Sequence, residues 1–281
     1  MLFVEICKAI FIGVIQGITE WLPVSSTGHM IIANEFVKLN ISDGAWEIFE
    51  VVTQLGSILA VIILFFDKLN PFKKNKGGIG IGVKKETVSL WIKVIIAVIP
   101  AGVLGVLLDD FLDAHFYNFI TVAIALIVYG ILFIVIEKIN KKRKFKYNDI
   151  GGINKRTSFE IGCFQVLSLI PGTSRSGSTI LGASVLGVSR PVAAEFSFFL
   201  AIPVMAGATL LKVAKAFLID DISLNAQEIL IIFVGTLTAF LVSLAVIKLL
   251  MDFVKKHTFS AFGWYRIAFG IILLAYYFIF K

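Results

Sequence analysis

Residues 16–29 read Gln16-Gly-Ile-Thr-Glu20-Trp-Leu-Pro23-Val-Ser25-Ser26-Thr27-Gly28-His29, and residues 171–179 read Pro171-Gly-Thr-Ser174-Arg175-Ser176-Gly-Ser-Thr179. Each stretch interrupts a long apolar run, about 2–33 and 158–190, near its middle. Backbone freed by such a Pro, Gly, Ser and Thr cluster survives at membrane depth only where protein or a water-filled cavity surrounds it. The two runs therefore predict re-entrant helix-loop-helix hairpins that line something polar.

Working outward, six further segments reach the roughly 20 apolar residues that a membrane span needs: 45–66, 88–108, 117–136, 193–212, 226–249 and 262–280. Across its 281 residues the chain is 58% hydrophobic and 16% charged, with a mean hydropathy of +0.93. Soluble domains carry about 45–50% apolar residues, so a water-soluble globular fold is excluded. The expected class is an all-α integral membrane protein of six transmembrane helices plus two re-entrant hairpins. The N-terminal run lacks a basic leader and already carries Gln16 and Glu20, and it reads as a retained segment. Cys7 and Cys163 lie in apolar surroundings without ligand spacing and read as buried small hydrophobes.

The net charge of +7 comes from clusters between apolar stretches, which read as topology signals and imply no nucleic-acid partner. Lys68, Lys73, Lys74, Lys76, Lys84 and Lys85 follow the first span. Lys138, Lys141, Lys142, Arg143, Lys144, Lys146, Lys155 and Arg156 follow the third. Both linkers are expected in the cytoplasm, and the connection at 109–116, with Asp109, Asp110 and Asp113, is expected outside. The first hairpin then enters from outside and the second from the cytoplasm. Gln16 and Gln165, Pro23 and Pro171, and Glu50 and Glu195 recur at offsets of 149, 148 and 145 residues. Together these features predict one membrane domain built as an inverted repeat: a first half at 1–140 and a second at 155–281, with a site near the midplane where broken helices meet.

Ionisable groups at the bilayer centre cost about 2.5–3.5 kcal/mol each on insertion scales, so Glu20 and Arg175 are expected to meet that cost together. Gln16 and Glu20 share a helix face at i, i+4. Ser25 and Ser26 stand where an N-cap belongs, and His29 follows Ser26 at i+3. If the turns face each other, Glu20, Ser26, His29, Ser174 and Arg175 converge, a set suited to phosphoryl transfer. Helix-start N–H groups favour an anion, and Arg175 can fork onto two phosphate oxygens. Glu20 can hold a divalent cation or act as a base, and His29 suits proton transfer or attack. Glu50, Gln54 and Glu195 read either as supporting residues or as helix–helix glue. His115 and His257 border charged loops and read as solvated.

The two motifs closely resemble the signature blocks of the bacterial undecaprenyl-diphosphate phosphatase family, the bacitracin-resistance proteins. The likeness extends through Phe49–Ala60, Ile161–Gln165 and Glu195-Phe-Ser-Phe. It implies a hydrolase of the bacterial cell membrane that removes the terminal phosphate of a C55 polyprenyl diphosphate and recycles the carrier for peptidoglycan synthesis. It also implies a divalent cation (Mg2+ or Ca2+), a pocket opening to the extracytoplasmic side, membrane-lipid surroundings and a possible homodimer. The family's acidic motif maps onto Gln16 and Glu20, its serine and histidine onto Ser26 and His29, and its phosphate-binding block onto Ser174, Arg175, Ser176 and Thr179. Ser25 and Thr27 belong to the expected phosphate-binding loop. Gln16 stands where many relatives carry Glu, which leaves Glu20 as the metal ligand or base. Ser26 is favoured as nucleophile with His29 assisting. The architecture also suits a polyprenyl-phosphate transporter or flippase, which remains open at this level.

Overall fold

A computed structural model describes residues 2–74, 81–116 and 118–280, without the side chains of 74, 81, 109, 110 and 113. Lys76 and Tyr117, and the side chains of Lys74, Asp109, Asp110 and Asp113, lie outside the described residues.

The first hairpin is α1 (Leu2–Thr19) and α2 (Ser26–Phe36). It is followed by α3 (Asp43–Leu64), the short α4 (Phe66–Leu69), α5 (Lys85–Phe116) and α6 (Phe119–Asn140). The second hairpin is α7 (Lys155–Val166), a 3-10 turn at Leu167–Leu169 and α8 (Arg175–Val185). After it come α9 (Arg190–Leu218), α10 (Ala226–Lys256) and α11 (Ser260–Phe280). Between α4 and α5, strands β1 (Phe72–Lys74) and β2 (Ile81–Val83) pair antiparallel with Phe72 opposite Val83.

Seven described helices are long and apolar enough to cross a membrane. Six of them are α3, α5, α6, α9, α10 and α11, the segments expected as spans. The seventh is α1, the first arm of the first hairpin. At 1.5 Å per residue, the 11 residues of α2 and of α8 rise only about 17 Å, well short of a ~30 Å hydrocarbon core. The expected connection at 109–116 is not a loop: α5 runs on to Phe116, because no Gly or Pro follows Gly105 to stop it.

The helices pair as α1 with α10, α7 with α5, α3 with α10, α9 with α5, α3 with α9, and α6 with α11. Exchanging α1, α3, α5 and α6 for α7, α9, α10 and α11 maps every one of these pairs onto another or onto itself. Close approach rests on small residues, as expected where lipid removes the hydrophobic drive between helices. A Cβ on Gly17 of α1 would stand 2.7 Å from the Ala239 carbonyl oxygen of α10. Gly130 and Gly263 oppose each other across α6 and α11, and a Cβ on either would lie 2.7 Å from the other's carbonyl oxygen. The core beside the two turns is aromatic, with Trp21, Phe196, Phe198 and Phe199 fully buried and Trp21 edge-on to Phe198 at 5.2 Å. Cys7 and Cys163 are both exposed rather than buried, because α1 and α7 turn those faces outward, away from their helix partners.

At one end, Glu137 of α6 accepts two hydrogen bonds from Arg190 Nε (2.9 and 3.0 Å) and one from Nη2 (2.6 Å), and a further bond from the Phe259 backbone N–H at 3.0 Å. One carboxylate thus fixes the start of α9 and the approach to α11 against the end of α6.

Gly17→Val should lower the thermal unfolding midpoint in detergent by the equivalent of about 1–3 kcal/mol of overpacking. Gly207→Val is the control, since nothing lies within 4 Å of a Cβ there. Equal midpoints for the two variants would show that α1 does not depend on this approach.

Candidate active site

The turns between α1 and α2 and between α7 and α8 have the same backbone device. Ser25 and Ser174 both sit at φ 72°, and each serine side chain accepts from the backbone N–H three residues on, Gly28 at 3.3 Å and Gly177 at 3.1 Å. A left-handed non-glycine residue costs about 1–3 kcal/mol, and the hydroxyl cap returns part of that by satisfying an orphan helix-start donor. The strained caps bring both helix starts, Ser26 of α2 and Arg175 of α8, to one place. Both helix dipoles present their positive ends there.

Glu20 lies between them, 6% exposed. Its Oε1 accepts from Arg175 Nη2 at 2.9 Å, and its Oε2 accepts from Ser26 Oγ at 2.8 Å and Gln16 Nε2 at 3.0 Å. Arg175 also donates through Nη1 to the Ser197 carbonyl at 2.9 Å, and Ser197 Oγ is 2.7 Å from Thr179 Oγ1. Ser176 Oγ reaches the carbonyls of Glu20 and Leu22 across the turns, each at 3.3 Å, and lies 3.1 Å from Ser174 Oγ. Thr27 stands in the first turn of α2, outside these bonds. Two buried donors beside the cluster, Arg175 Nε and Trp21 Nε1, have no hydrogen-bond partner. The Arg175 guanidinium lies 5.8 Å from the Trp21 ring. An orphaned N–H in a buried polar cluster marks room for an acceptor.

His29 is placed differently from the sequence expectation. Its Nδ1 is 2.7 Å from the Ser25 carbonyl oxygen, so Nδ1 carries the hydrogen, and its Nε2 is 2.6 Å from Tyr265 Oη, from which a neutral imidazole accepts. Phe269 stacks on the ring at 4.2 Å. Both nitrogens are thus engaged by the cap residue and by α11, and neither bonds to Ser26.

Among the described residues, none of Glu50, Gln54 and Glu195 hydrogen-bonds a member of the Glu20–Arg175 cluster. Glu195 is bonded by Lys68 at 2.6 Å. Glu50 lines an 850 Å³ cleft together with Lys38, Glu47, Lys212 and Lys215. Both carboxylates thus stand near lysines where α3 and α9 meet, Glu195 in an ion pair and Glu50 in a cleft. His115 and His257 are exposed.

Sequence reading missed Arg266 and Tyr265. Arg266, expected only as part of an apolar span, is fully buried. Its Nη1 donates to the Pro23 carbonyl at 3.0 Å, and its Nη2 donates to the Gly172 carbonyl at 2.8 Å and the Thr173 carbonyl at 3.0 Å. The guanidinium also lies over the Tyr129 ring at 5.4 Å. One side chain thus ties the two turns together. Its signal in the sequence is an arginine seven residues inside a helix that is otherwise apolar.

Among the described residues no group of three or more His, Cys, Asp and Glu side chains forms a metal cage. Glu20 is the one carboxylate in the cluster. Its two oxygens accept from Arg175, Ser26 and Gln16, so a divalent cation would have to displace one of these donors to be held by Glu20.

The fold and site define a multi-pass membrane protein whose paired broken helices hold a carboxylate, a hydroxyl and a guanidinium at one buried point. A family model described as bacitracin resistance protein BacA matches residues 9–272, and the chain belongs to that family. The undecaprenyl-diphosphatase of Enterococcus faecalis (strain ATCC 700802 / V583) is 54% identical over 277 residues, 99% of each chain. Undecaprenyl-diphosphatase 1 of Clostridioides difficile (strain 630) is 58% identical over 275 residues, 98% of this chain and 97% of the other. The undecaprenyl-diphosphatase of Desulfitobacterium hafniense is 53% identical over 278 residues, 99% and 98%.

Arg266→Met should speed backbone hydrogen exchange in both turns at once, around Val24–Ser26 and around Gly172–Ser174. Faster exchange in only one turn would mean that the arginine does not couple them.

Proposed function

We propose that the protein hydrolyses undecaprenyl diphosphate to undecaprenyl phosphate and inorganic phosphate, recycling the carrier lipid for peptidoglycan synthesis and so conferring bacitracin resistance. The observation that carries this reading is the Glu20 carboxylate, with one oxygen on Arg175 and the other on the Ser26 hydroxyl. A serine donating to a buried carboxylate at 2.8 Å is in position to lose its proton to it.

The terminal phosphoryl group enters between the starts of α2 and α8. There Arg175 Nε and Trp21 Nε1 gain acceptors, and the guanidinium exchanges part of its hold on Glu20 for phosphate oxygen. Ser26 Oγ attacks phosphorus as its proton passes to Glu20. The Oγ–P bond forms, the anhydride P–O bond breaks, and the polyprenyl monophosphate leaves with the bridging oxygen. The protonated Glu20 passes its proton to the departing polyprenyl monophosphate. Water then attacks the phosphoserine as it loses a proton to Glu20, the Oγ–P bond breaks, and Glu20 returns that proton to Ser26 Oγ. Inorganic phosphate departs and Ser26 is restored. His29 holds the Ser25 carbonyl and with it the cap that aims Ser26. Gln16 orients Glu20, while Ser174, Ser176 and Thr179 hold the second turn. A divalent cation held by Glu20 and phosphate oxygens would supply neutralising charge.

If the two lysine-rich linkers are cytoplasmic, the 850 Å³ cleft beside Glu50 opens at the outer ends of α2, α3 and α9. We read that side, the extracytoplasmic face of the cell membrane, as the one from which water reaches the site and phosphate leaves it. The same orientation supports reading the two halves as inverted repeats. Transport, which the sequence left open, is not favoured by relatives that match end to end and are named as diphosphatases.

Purified protein should release phosphate from undecaprenyl diphosphate. Glu20→Gln should lower kcat about 10²–10⁴-fold, as for loss of a general base. Arg175→Lys keeps the charge but loses the planar fork, and it should lose about 10²–10³-fold, as for removal of a transition-state donor. Ser26→Ala should abolish formation of a 32P-labelled phosphoenzyme. A Ser26→Ala variant that still labels, with label lost in His29→Ala, would make the imidazole the nucleophile and overturn this assignment.

A further inference from the structure

A second cavity, of 90 Å³, lies between α2, α6 and α11, lined by residues that include Ile32, Phe36, Phe119, Phe269, Leu273 and Tyr276. Its lining is hydrocarbon and aromatic except for Glu35 and the Tyr276 hydroxyl, and that hydroxyl donates to Glu35 at 3.5 Å. Polarity is thus confined to one rim.

The crevice lies beside the cluster described above, with Phe269 and His29 between them. Phe269 forms part of its wall and also stacks on His29 at 4.2 Å, and His29 donates to the carbonyl of the cap residue that precedes Ser26. Only two side chains separate the apolar lining from the start of α2. The crevice is also open sideways. Phe36 is 66% exposed and Ile272 62% exposed on its margins, and in a membrane that flank faces lipid.

From this we infer that the α2–α6–α11 crevice is the seat of the isoprenoid chain, holding the part of the tail next to the diphosphate while the remainder leaves laterally into the bilayer. The inference rests on the phosphatase reading and adds a ligand subsite to it. The size fits. A cavity of about 150 Å³ takes benzene and a water occupies about 30 Å³, so 90 Å³ suits a fragment of four or five carbons, one branched isoprene unit. The charged cleft beside Glu50 could not take hydrocarbon without burying its lysines and carboxylates against it.

Moving a tail from lipid into this crevice gains nothing from water, because both surroundings are apolar. Preference must come from packing. Rings from three helices meet along the crevice, with Phe36 and Phe119 lying 5.5 and 6.3 Å from Tyr276. Such a rigid aromatic wall favours a stiff, methyl-branched, unsaturated chain over a straight acyl chain.

The test uses the full-length protein in nanodiscs of phosphatidylglycerol and phosphatidylethanolamine. The probe is a farnesyl methylenediphosphonate, which resists hydrolysis, carrying a photoreactive diazirine on its first isoprene unit. Labelling should fall on α2 and α11 peptides containing Ile32, Phe36 and Leu273, and excess phosphatidylglycerol should not compete it away. Separately, Ile272→Trp should raise KM for farnesyl diphosphate about five- to tenfold with kcat near normal, a loss of ground-state binding. KM for butyl diphosphate, which has no branched unit, should stay unchanged. Labels elsewhere, labels removed by phospholipid, or an unchanged farnesyl KM would overturn the subsite. Because labelling needs no turnover, failure of the phosphatase reading is seen separately, as absence of phosphate release by the wild type.

Discussion

The structure depends on one buried ion pair between two broken helices. Glu20 and Arg175 belong to turns 155 residues apart, meet at 2.9 Å and are largely shielded, with side-chain exposures of 6% and 11%. Neither charge is tolerable alone at membrane depth, and removing one partner of a buried pair costs about 3–5 kcal/mol. Each hairpin therefore needs the other: the first brings a carboxylate it cannot afford in isolation, the second a guanidinium. Arg266 acts on the backbone of the same junction. It binds three carbonyls from both turns, groups that the broken helices leave without intrahelical donors. The pair fixes the charges and Arg266 fixes the frame around them.

Much of this arrangement was legible before any coordinates. Pro, Gly and hydroxyl residues inside apolar runs have few physical uses at membrane depth, so Pro23–Gly28 and Pro171–Gly177 marked the turns, and the scarcity of charge marked Glu20 and Arg175 as partners. Arg266 was hidden because an arginine near a span end ordinarily snorkels to the interface. Only the fold shows that α11 places it against two turns. Tyr265 was hidden by its aromatic neighbours. The engagement of His29 with α11 was unreadable because i, i+3 spacing puts His29 near Ser26 on a helix, whereas its ring is captured by Tyr265 and Phe269. Glu137 with Arg190 escaped notice because each residue alone reads as an interfacial charge.

Glu50 and Glu195 show how a correct pattern can be silent about location. The sequence left them either as support for the central site or as glue between helices. Lysines recur beside them: Lys68, just beyond α3, holds Glu195 of α9, and Lys212, near the end of α9, lines the same cleft as Glu50 of α3. The repeated carboxylates belong to a repeated contact between α3 and α9, and the lysines, spaced 144 residues apart, could have revealed it. Sequence recurrence reports which contacts a duplicated fold preserves, and those are chiefly the ones that hold helices together.

The proposed chemistry falls where the two halves differ. Both turns keep the φ 72° serine cap, yet at the offset of 149 residues Gln165 stands for Gln16 and Ser178 stands for His29. Gln165 is buried and its amide has no hydrogen-bond partner, while the Gln16 amide donates to Glu20 and both His29 nitrogens are engaged by Ser25 and Tyr265. The first turn thus has its cap braced by an imidazole and its carboxylate oriented by an amide. The second turn supplies a cation with a spare donor. A strained cap costs about 1–3 kcal/mol wherever it stands, but only in the first half does the residue after it point a hydroxyl at a carboxylate. The proposed reaction therefore falls to the turn whose hydroxyl meets a carboxylate, while the other turn supplies the guanidinium that faces it.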